Sequence, residues 1–320
     1  MKAAIATAYG GPDVIRIAEV PTPSPKQNEV LIRIHASAVN AADWRLRSAN
    51  PWFVRLVFGL TKPRKPILGV VFAGEVVETG SAVTKYKKGD RLFGWTSIMG
   101  LGGHAEYIAL KENGAFARMP DAMSYTDAAA IPFGFGTALY FLRKANVERG
   151  QRVLIYGASG AVGSAAVQLA RVMGAEVTGV CSTRNMELVR SLGATEVLDY
   201  TKDDLSAHRD RFDVVFETVG KLPFKQCLEL VRSGGKLVLG SDLPADMLKR
   251  AFSGKDGRKV TVISGTAGES AEDMRHFAAL WEQQQIRPVI DSTFPLARIQ
   301  EAHARAESGR KVGNVVVTVA

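Results

Sequence analysis

The chain has 320 residues, of which 46% are hydrophobic and 23% charged, and its formal net charge is +9; these proportions favour a packed protein of two domains over a disordered chain. No apolar run reaches the roughly 20 residues that a membrane helix needs, and the N-terminus lacks a signal-peptide pattern, so we predict a cytoplasmic location and no membrane partner. Two cysteines are too few for a four-cysteine zinc site, and no nucleic-acid-binding motif accompanies the positive charge, so we predict no nucleic-acid partner.

The first 120 residues are predicted to be rich in β-strands. Short β-branched runs at 2–7, 16–20, 29–38 and 74–79 are separated by glycine and proline clusters such as 10–12. This pattern is typical of a β-domain with tight turns.

The pattern changes between residues 124 and 265, where apolar strands alternate with helical segments at 164–173 and 186–192. Strands buried on both faces and joined by helices form a parallel, doubly wound sheet. Two halves of three strands match the dinucleotide-binding arrangement, so we predict a Rossmann domain over 124–265. The six strands are predicted at 152–156, 176–181, 196–198, 213–217, 236–240 and 259–264.

The C-terminal residues do not continue this alternation. A helix at 271–285, a strand at 289–294, a helix at 296–308 and a strand at 315–319 are predicted instead. We predict that this segment returns to the N-terminal domain, which then comprises residues 1–123 and 266–320.

The strongest local motif is the glycine turn that follows the strand at 152–156. Its spacing is G-x-x-G-x-x-G, in which Gly157 permits a sharp turn, Gly160 keeps side chains away from a pyrophosphate and Gly163 allows close helix packing. Free N–H groups and the dipole at the start of the helix attract phosphates. A tight turn without a ligand is the alternative, but the six-strand context favours a dinucleotide.

The residues after the second predicted strand distinguish the two nicotinamide cofactors. Sites that bind NAD usually place an acidic residue there, on the ribose 2′-hydroxyl. Here Ser182, Thr183 and Arg184 follow Cys181 without an acid, so nothing in this segment repels a 2′-phosphate, and Arg184 can pair with one. We predict NADPH; the alternative is that Arg184 is a solvated charge and NADH serves equally well.

Five segments together resemble a known family: residues 37–43, 89–94, 103–107, 157–163 and 191–194. On these segments the chain resembles the zinc-independent medium-chain dehydrogenases/reductases of the quinone oxidoreductase group. The resemblance implies an α/β protein with a GroES-like β-barrel catalytic domain beside a six-stranded Rossmann domain. It also implies a site without metal, because Asn40 stands where zinc-dependent relatives have a cysteine and no His-Glu pair occurs near residues 68–71.

The resemblance assigns residues to the cofactor as well. Thr137 is expected at the nicotinamide and Tyr200 beside the adenosine phosphate. Many relatives carry a lysine where this chain has Asn314, and Lys311 is the candidate substitute. The full set expected along the cofactor is Thr137, Gly157, Ser159, Gly160, Ala161, Val162, Gly163, Ser182, Thr183, Arg184, Tyr200, Val219, Gly220, Gly240, Ser241 and Lys311.

The implied reaction is hydride transfer from NADPH to a quinone or an α,β-unsaturated carbonyl. Asn40 is the candidate for polarising the acceptor, and the alternative is that it orders a turn near Asp43. Trp44 and Trp52 either stack on a flat acceptor or pack. The resemblance implies a tyrosine proton donor shortly after the segment that contains Asn40 and Asp43 in some enoyl reductases of the superfamily. No tyrosine lies between Asn40 and Gly69 here, so solvent is expected to supply the proton.

Two other functions stay open at this stage. One is a non-catalytic NADPH-binding sensor or partner protein on the same scaffold, and the other is an NADP-dependent alcohol dehydrogenase that has lost zinc. The strand at 259–264 resembles the edge that pairs between subunits in relatives, so we also predict a homodimer.

Overall fold

The computed structural model describes residues 1–97, 100–241 and 259–319. Two compact units result: Met1–Phe133 with Glu269–Ala320, and Gly134–Gly268. The strands, numbered in chain order, are β1 (Lys2–Ala6), β2 (Ile15–Glu19), β3 (Glu29–Val39), β4 (Val71–Thr79), β5 (Arg91–Trp95), β6 (Tyr107–Lys111), β7 (Phe116–Arg118), β8 (Arg152–Tyr156), β9 (Glu176–Cys181), β10 (Glu196–Asp199), β11 (Phe212–Glu217), β12 (Val231–Leu239), β13 (Thr261–Ile263), β14 (Ile290–Pro295) and β15 (Asn314–Thr318).

The helices are mostly short. The α-helices are α1 (Ala41–Ser48), α2 (Val54–Phe58), α3 (Tyr125–Ala130), α4 (Pro132–Lys144), α5 (Ala161–Val172), α6 (Met186–Ser191), α7 (Phe224–Leu230), α8 (Ala271–Glu282) and α9 (Ile299–Glu307). Single 3₁₀ turns occur at Pro12–Val14, Thr183–Asn185, Leu205–His208 and Leu296–Arg298. Among the described helices, none combines the length and the apolar character that crossing a membrane requires.

The first unit is built on a seven-stranded sheet in the order β14-β15-β3-β4-β5-β7, with β6 also paired to β3. β3 is its centre, since it pairs antiparallel with β15, β4 and β6. Its side chains are almost all buried because both faces are covered, and Ile32 and Ile34 contribute to a core with Phe72 and Phe116. The C-terminal strand therefore completes the N-terminal sheet.

The second unit contains a six-stranded, fully parallel sheet in the order β10-β9-β8-β11-β12-β13. Strand order reverses between β8 and β11, which is the position where a doubly wound sheet opens a ligand crevice beyond the carboxyl ends of its strands. Leu154, Val215 and Leu237 are fully buried in its core. The predicted Rossmann arrangement is confirmed.

One predicted strand is wrong at its start. β12 begins at Val231 rather than at residue 236, because Phe212 of β11 pairs with Val231 before the register shifts. Gly234 lies inside this strand with φ +77°, a conformation that suits a bulge. This bulge lets the strand accommodate the consecutive glycines Gly234 and Gly235.

Candidate active site

The turn between β8 and α5 is shaped by the first glycine of the motif. Gly157 has φ +82°, which favours glycine. Its N–H and that of Ala158 both donate to the Val180 carbonyl of β9, each at 3.0 Å. The turn is thus fastened to the neighbouring strand.

The other two glycines of the motif differ in what surrounds them. A Cβ at Gly163 would lie 2.1 Å from the Gly157 carbonyl oxygen, so this position needs glycine for packing. Among the described residues, a Cβ at Gly160 would meet only that same oxygen, at an ordinary 3.4 Å, and its φ of −78° suits any residue. The protein itself does not require glycine at 160, whereas a closely approaching ligand would.

The start of α5 presents unpaired donors. The helix begins after Gly160, and its first intrahelical bond runs from Ser164 N–H to the Gly160 carbonyl at 2.8 Å. By helix geometry, the N–H groups of Ala161, Val162 and Gly163 have no acceptor within the helix, and Gly160 has no side chain to cap them. Such a terminus suits a pyrophosphate, so these residues fit the phosphates of a dinucleotide.

Helix α4 passes close to this terminus. A Cβ at Gly134 would lie 2.7 Å from the Ala161 carbonyl oxygen. Thr137 lies three residues further along α4, on the same side of the helix, and is buried. The arrangement brings Thr137 near the start of α5, and its expected contact with the nicotinamide stays a prediction.

The segment after β9 is linked to the glycine turn by an amide. Asn185, at the end of the 3₁₀ turn, is buried and donates from Nδ2 to the Ser159 hydroxyl at 3.0 Å and to the Ser182 hydroxyl at 3.3 Å. Arg184 beside it is exposed. Asn185 was given no function from the sequence, although an amide flanked by hydroxyl residues is a signal for such a network.

A carboxylate does lie beside this segment, although the sequence immediately after β9 contains none. Asp199 ends β10, directly opposite Cys181, and accepts hydrogen bonds from the hydroxyls of Thr183 and Thr201. The bond from Thr183 lowers the pKa of Asp199 below its usual value. The Thr183 hydroxyl proton is therefore already used, which leaves the Ser182 hydroxyl and the Arg184 guanidinium as this segment's candidates for a 2′-phosphate, and the ionised Asp199 nearby would oppose one.

Two further side chains complete this end of the sheet. Tyr200 is 52% exposed, and its ring lies 6.3 Å from that of Tyr156. Cys181 is buried, and burial raises the pKa of its thiol to about 11. Cys181 is thus a packing residue, as interpreted from the sequence, while Tyr200 offers an open ring face.

Glu217, at the end of β11, holds the loop beside the strand-order reversal. Its buried carboxylate accepts N–H bonds from Val219 at 3.1 Å, Gly220 at 2.7 Å and Lys221 at 3.2 Å. The Ser241 hydroxyl donates to it at 3.1 Å. Three of the four expected cofactor residues after β11 and β12 (Val219, Gly220 and Ser241) thus bind a carboxylate that sequence reasoning did not identify. The fourth, Gly240, donates its N–H to the Glu217 backbone carbonyl at 2.8 Å.

In the first unit, Asn40 and Asp43 form the N-terminus of α1. The Asn40 N–H donates to Asp43 Oδ2 at 2.7 Å, and the Gly69 N–H donates to Asp43 Oδ1 at 3.1 Å. Burial raises the pKa of Asp43 to about 7. The Asn40 amide nitrogen approaches the Ala38 carbonyl at 3.4 Å. These contacts support the interpretation that Asn40 orders a turn, and they leave its role toward an acceptor untested.

The remaining candidate residues of this unit, Trp44, Trp52 and Lys311, differ in what surrounds their side chains. Trp44 packs against the hydrophobic core of the first unit, with the Arg45 guanidinium 5.4 Å from its ring. Trp52 is 71% exposed. The Lys311 ammonium donates to the Gly313 carbonyl, and burial lowers its pKa to about 8. Only Trp44 therefore has a clear packing role.

Metal-ligating residues are scattered in the described ranges. There, no group of three His, Cys, Asp or Glu side chains is arranged to hold a metal ion. His104 is fully buried, lies 3.4 Å from the Ala38 carbonyl through Nε2, and has its pKa lowered to about 4 by burial. Its surroundings agree with packing rather than catalysis.

Two family models match the chain. Residues 26–121 match one described as "Alcohol dehydrogenase GroES-like domain", and residues 192–317 match one described as "Zinc-binding dehydrogenase". A chloroplast envelope quinone oxidoreductase homolog from Arabidopsis thaliana is 31% identical over 96% of this chain and 95% of its own. An NADPH-dependent alkenal/one oxidoreductase, chloroplastic, from the same plant is 32% identical over 99% of this chain and 79% of its own.

The structure of the quinone oxidoreductase from Coxiella burnetii superimposes with a TM-score of 0.90 at 28% identity, covering 100% of this chain and 99% of that one. The chain belongs to the medium-chain dehydrogenases/reductases of the quinone oxidoreductase type. As a member of this family it is an oxidoreductase that binds a nicotinamide dinucleotide. The GroES-like and Rossmann parts expected from the resemblance are confirmed.

Proposed function

We propose that this protein transfers a hydride from NADPH to a quinone or an α,β-unsaturated carbonyl without zinc. The observation that carries the proposal is the open start of α5 over Gly160, with Ser182 and Arg184 beyond the adjacent strand. The names of the relatives, quinone oxidoreductase and alkenal/one oxidoreductase, support this acceptor class. Asn40 in place of a cysteine, and the scattered metal-ligating residues, support chemistry without zinc.

Each part of the site has a distinct task in this proposal. NADPH supplies the hydride when bound. The N–H groups of Ala161 and Val162 hold the pyrophosphate, and Tyr200 lies against the adenosine. One N–H of the Asn40 amide stabilises negative charge that develops on the acceptor oxygen. Solvent supplies the proton, because no tyrosine lies between Asn40 and Gly69 to donate one.

A turnover screen tests the proposal. NADPH oxidation is expected with quinones or enones as acceptors, with no effect of chelators. Tight NADPH binding without turnover across a broad acceptor panel would instead support a sensor, and oxidation of simple alcohols would support an alcohol dehydrogenase.

Replacing Arg184 by alanine is expected to weaken NADPH binding about tenfold and to leave NADH binding unchanged, because only NADPH carries the 2′-phosphate that the guanidinium pairs with. Titration of each cofactor by fluorescence measures both constants. Arg209→Ala is the matched control, since Arg209 is another exposed arginine of this unit and pairs with Glu229 at 3.0 Å. Equal losses for both cofactors in the Arg184 variant would contradict the assignment.

We also propose a cytoplasmic homodimer that pairs through β13. This strand is the edge of the described six-stranded sheet, and Val262 on it is 40% exposed. Sheet edges are natural pairing surfaces because their N–H and C=O groups point outward. Sedimentation velocity is expected to show a particle of twice the 34.5 kDa chain mass, and a monomer would contradict the proposal.

A further inference from the structure

The first unit carries a cluster of exposed apolar side chains on and around α2. Trp52, Leu56, Val57 and Leu60 are 71%, 60%, 54% and 64% exposed. In the described ranges, eight large apolar side chains are at least 40% exposed, and these four lie within nine consecutive residues. Scattered apolar side chains on a surface are ordinary, whereas a contiguous group marks an interaction site.

The same segment is positively charged throughout. Arg55, Lys62, Arg64 and Lys65 are exposed beside the apolar group. From Trp44 to Gly74 the sequence contains no aspartate or glutamate. We call these eight side chains, four apolar and four cationic, the 52–65 surface. Its partner must accept both apolar contact and positive charge.

Backbone contacts hold the cations next to α2. The Arg64 N–H donates to the Phe58 carbonyl at 2.7 Å, so the chain folds back immediately after the helix. The Tyr9 hydroxyl donates to the Gly59 carbonyl at 2.7 Å, and the Arg55 guanidinium lies 5.1 Å from the Tyr9 ring. Apolar and cationic groups therefore belong to one folded surface.

We propose that the 52–65 surface docks on an anionic lipid bilayer. Tryptophan favours the membrane–water interface, leucine and valine enter the boundary of the acyl chains, and lysine and arginine pair with anionic headgroups. α2 is far too short to span, so the contact is interfacial. The absence of a spanning segment led us to predict no membrane partner from the sequence, but that criterion does not address peripheral binding.

A second copy of the chain fits this surface less well. A symmetric dimer places the same patch on both sides, which here would bring cations from Arg55 to Lys65 toward their own kind. Repulsion between like charges opposes such a contact. An acidic protein would satisfy the charge as well, but a tryptophan and leucines flanked by lysine and arginine are the combination typical of segments that lie in the membrane interface.

Co-sedimentation with vesicles tests the proposal on the full chain. Binding is expected to phosphatidylcholine vesicles that contain phosphatidylglycerol, not to phosphatidylcholine alone, and to fall steeply with added salt. Equal binding to both vesicles, or binding to neither, would overturn it.

Two double variants divide the charge from the apolar contribution. Lys62→Gln with Arg64→Gln is expected to weaken vesicle binding about 25-fold, from roughly fivefold per cation, and Leu56→Ser with Leu60→Ser about tenfold. The matched control is Lys87→Gln with Lys88→Gln, which removes two exposed lysines elsewhere in the same unit and should change binding less than twofold.

The variants also distinguish docking of this surface from attraction to the overall charge of the protein and from contact with a second copy of the chain. Thermal denaturation confirms that each variant is folded before binding is compared. A loss of vesicle binding in the control as large as in the Lys62 variant would show attraction to overall charge and overturn the assignment. So would a leucine variant that binds vesicles normally but changes the oligomeric state in light scattering, since the surface would then be an interface between copies.

Discussion

Replacing Gly160 by alanine is expected to weaken dinucleotide binding about 100-fold while leaving the fold intact. Among the described residues, the added Cβ has its nearest neighbour at 3.4 Å, but it would stand where a phosphate approaches the start of α5. Misplacing a bound group by about 1 Å can cost on the order of 100-fold in reaction rate, and we expect a loss of similar size in affinity here. Isothermal titration with NADPH measures the affinity, and urea denaturation measures the stability.

Two other glycines serve as comparisons. Gly163→Ala should lower the free energy of unfolding by about 2 kcal/mol as well as weaken binding, because its Cβ would lie 2.1 Å from the Gly157 carbonyl oxygen. Gly268→Ala should change neither property, since within the described ranges no atom other than those of its chain neighbours lies within 4 Å of its added Cβ. Normal NADPH affinity in a folded Gly160 variant would refute our placement of the phosphates.

Replacing Asp43 by asparagine is expected to lower the free energy of unfolding by about 3 kcal/mol at pH 5. Both carboxyl oxygens accept backbone N–H bonds, from Asn40 at 2.7 Å and from Gly69 at 3.1 Å. The neutral acid present at pH 5 can still accept through its hydroxyl oxygen, whereas asparagine has one acceptor oxygen and an NH₂ group. One buried N–H would therefore face that NH₂ group, and each such loss costs about 1–3 kcal/mol. Urea denaturation of the variant and the wild type gives the difference.

The effect should also depend on pH. Burial raises the pKa of Asp43 to about 7, so between about pH 4 and pH 7 the folded chain keeps a proton that the unfolded chain releases. The stability that this group provides is full below the unfolded pKa and is lost as the pH rises through 7. The asparagine variant does not titrate there, so its deficit should shrink between pH 5 and pH 8 by about 2.7 kcal/mol, from about two pH units at 1.36 kcal/mol each.

An exposed aspartate provides the control for this experiment. Asp121→Asn makes the same change of charge on an exposed turn of the same unit, and its effect should be within about 0.5 kcal/mol at either pH. A deficit for the Asp43 variant that stays constant from pH 5 to pH 8 would show that Asp43 does not titrate in this range.

Elements defined by local pattern were predicted well. β8 and β9 begin and end where the sequence placed them, because both are short, mostly apolar runs in the middle of a sheet and each begins at a charged residue, Arg152 or Glu176. β12 was placed too short, since its first half contains two glycines, and only pairing with Phe212 and the bulge at Gly234 make it a strand. That information is in the tertiary contacts, not in the segment.

The residues of the candidate site also divide into those that a local sequence pattern reveals and those that it does not. The three glycines of the phosphate turn were predictable because their spacing and their place between strand and helix are local. Asp199 and Glu217 were not predictable, because their hydrogen-bond partners come from other segments. Asp199 accepts a hydrogen bond from Thr183, which follows the neighbouring strand β9, and Glu217 accepts one from Ser241, which follows β12. A search confined to the residues after β9 could not detect an acid that arrives from β10.

The hydrogen bonds between Glu217 and its loop determine which ligand groups this loop can bind. Because its carboxylate already takes the N–H groups of Val219, Gly220 and Lys221, those amides have no proton left to offer an anion. Outward, this loop presents the isopropyl group of Val219, which is 42% exposed, and the exposed side chain of Lys221. At this edge of the sheet, the start of α5 therefore offers backbone N–H groups to a charged ligand group. The loop after β11 offers no backbone donor from these three residues, and its valine offers an apolar contact for the flat face of a ring.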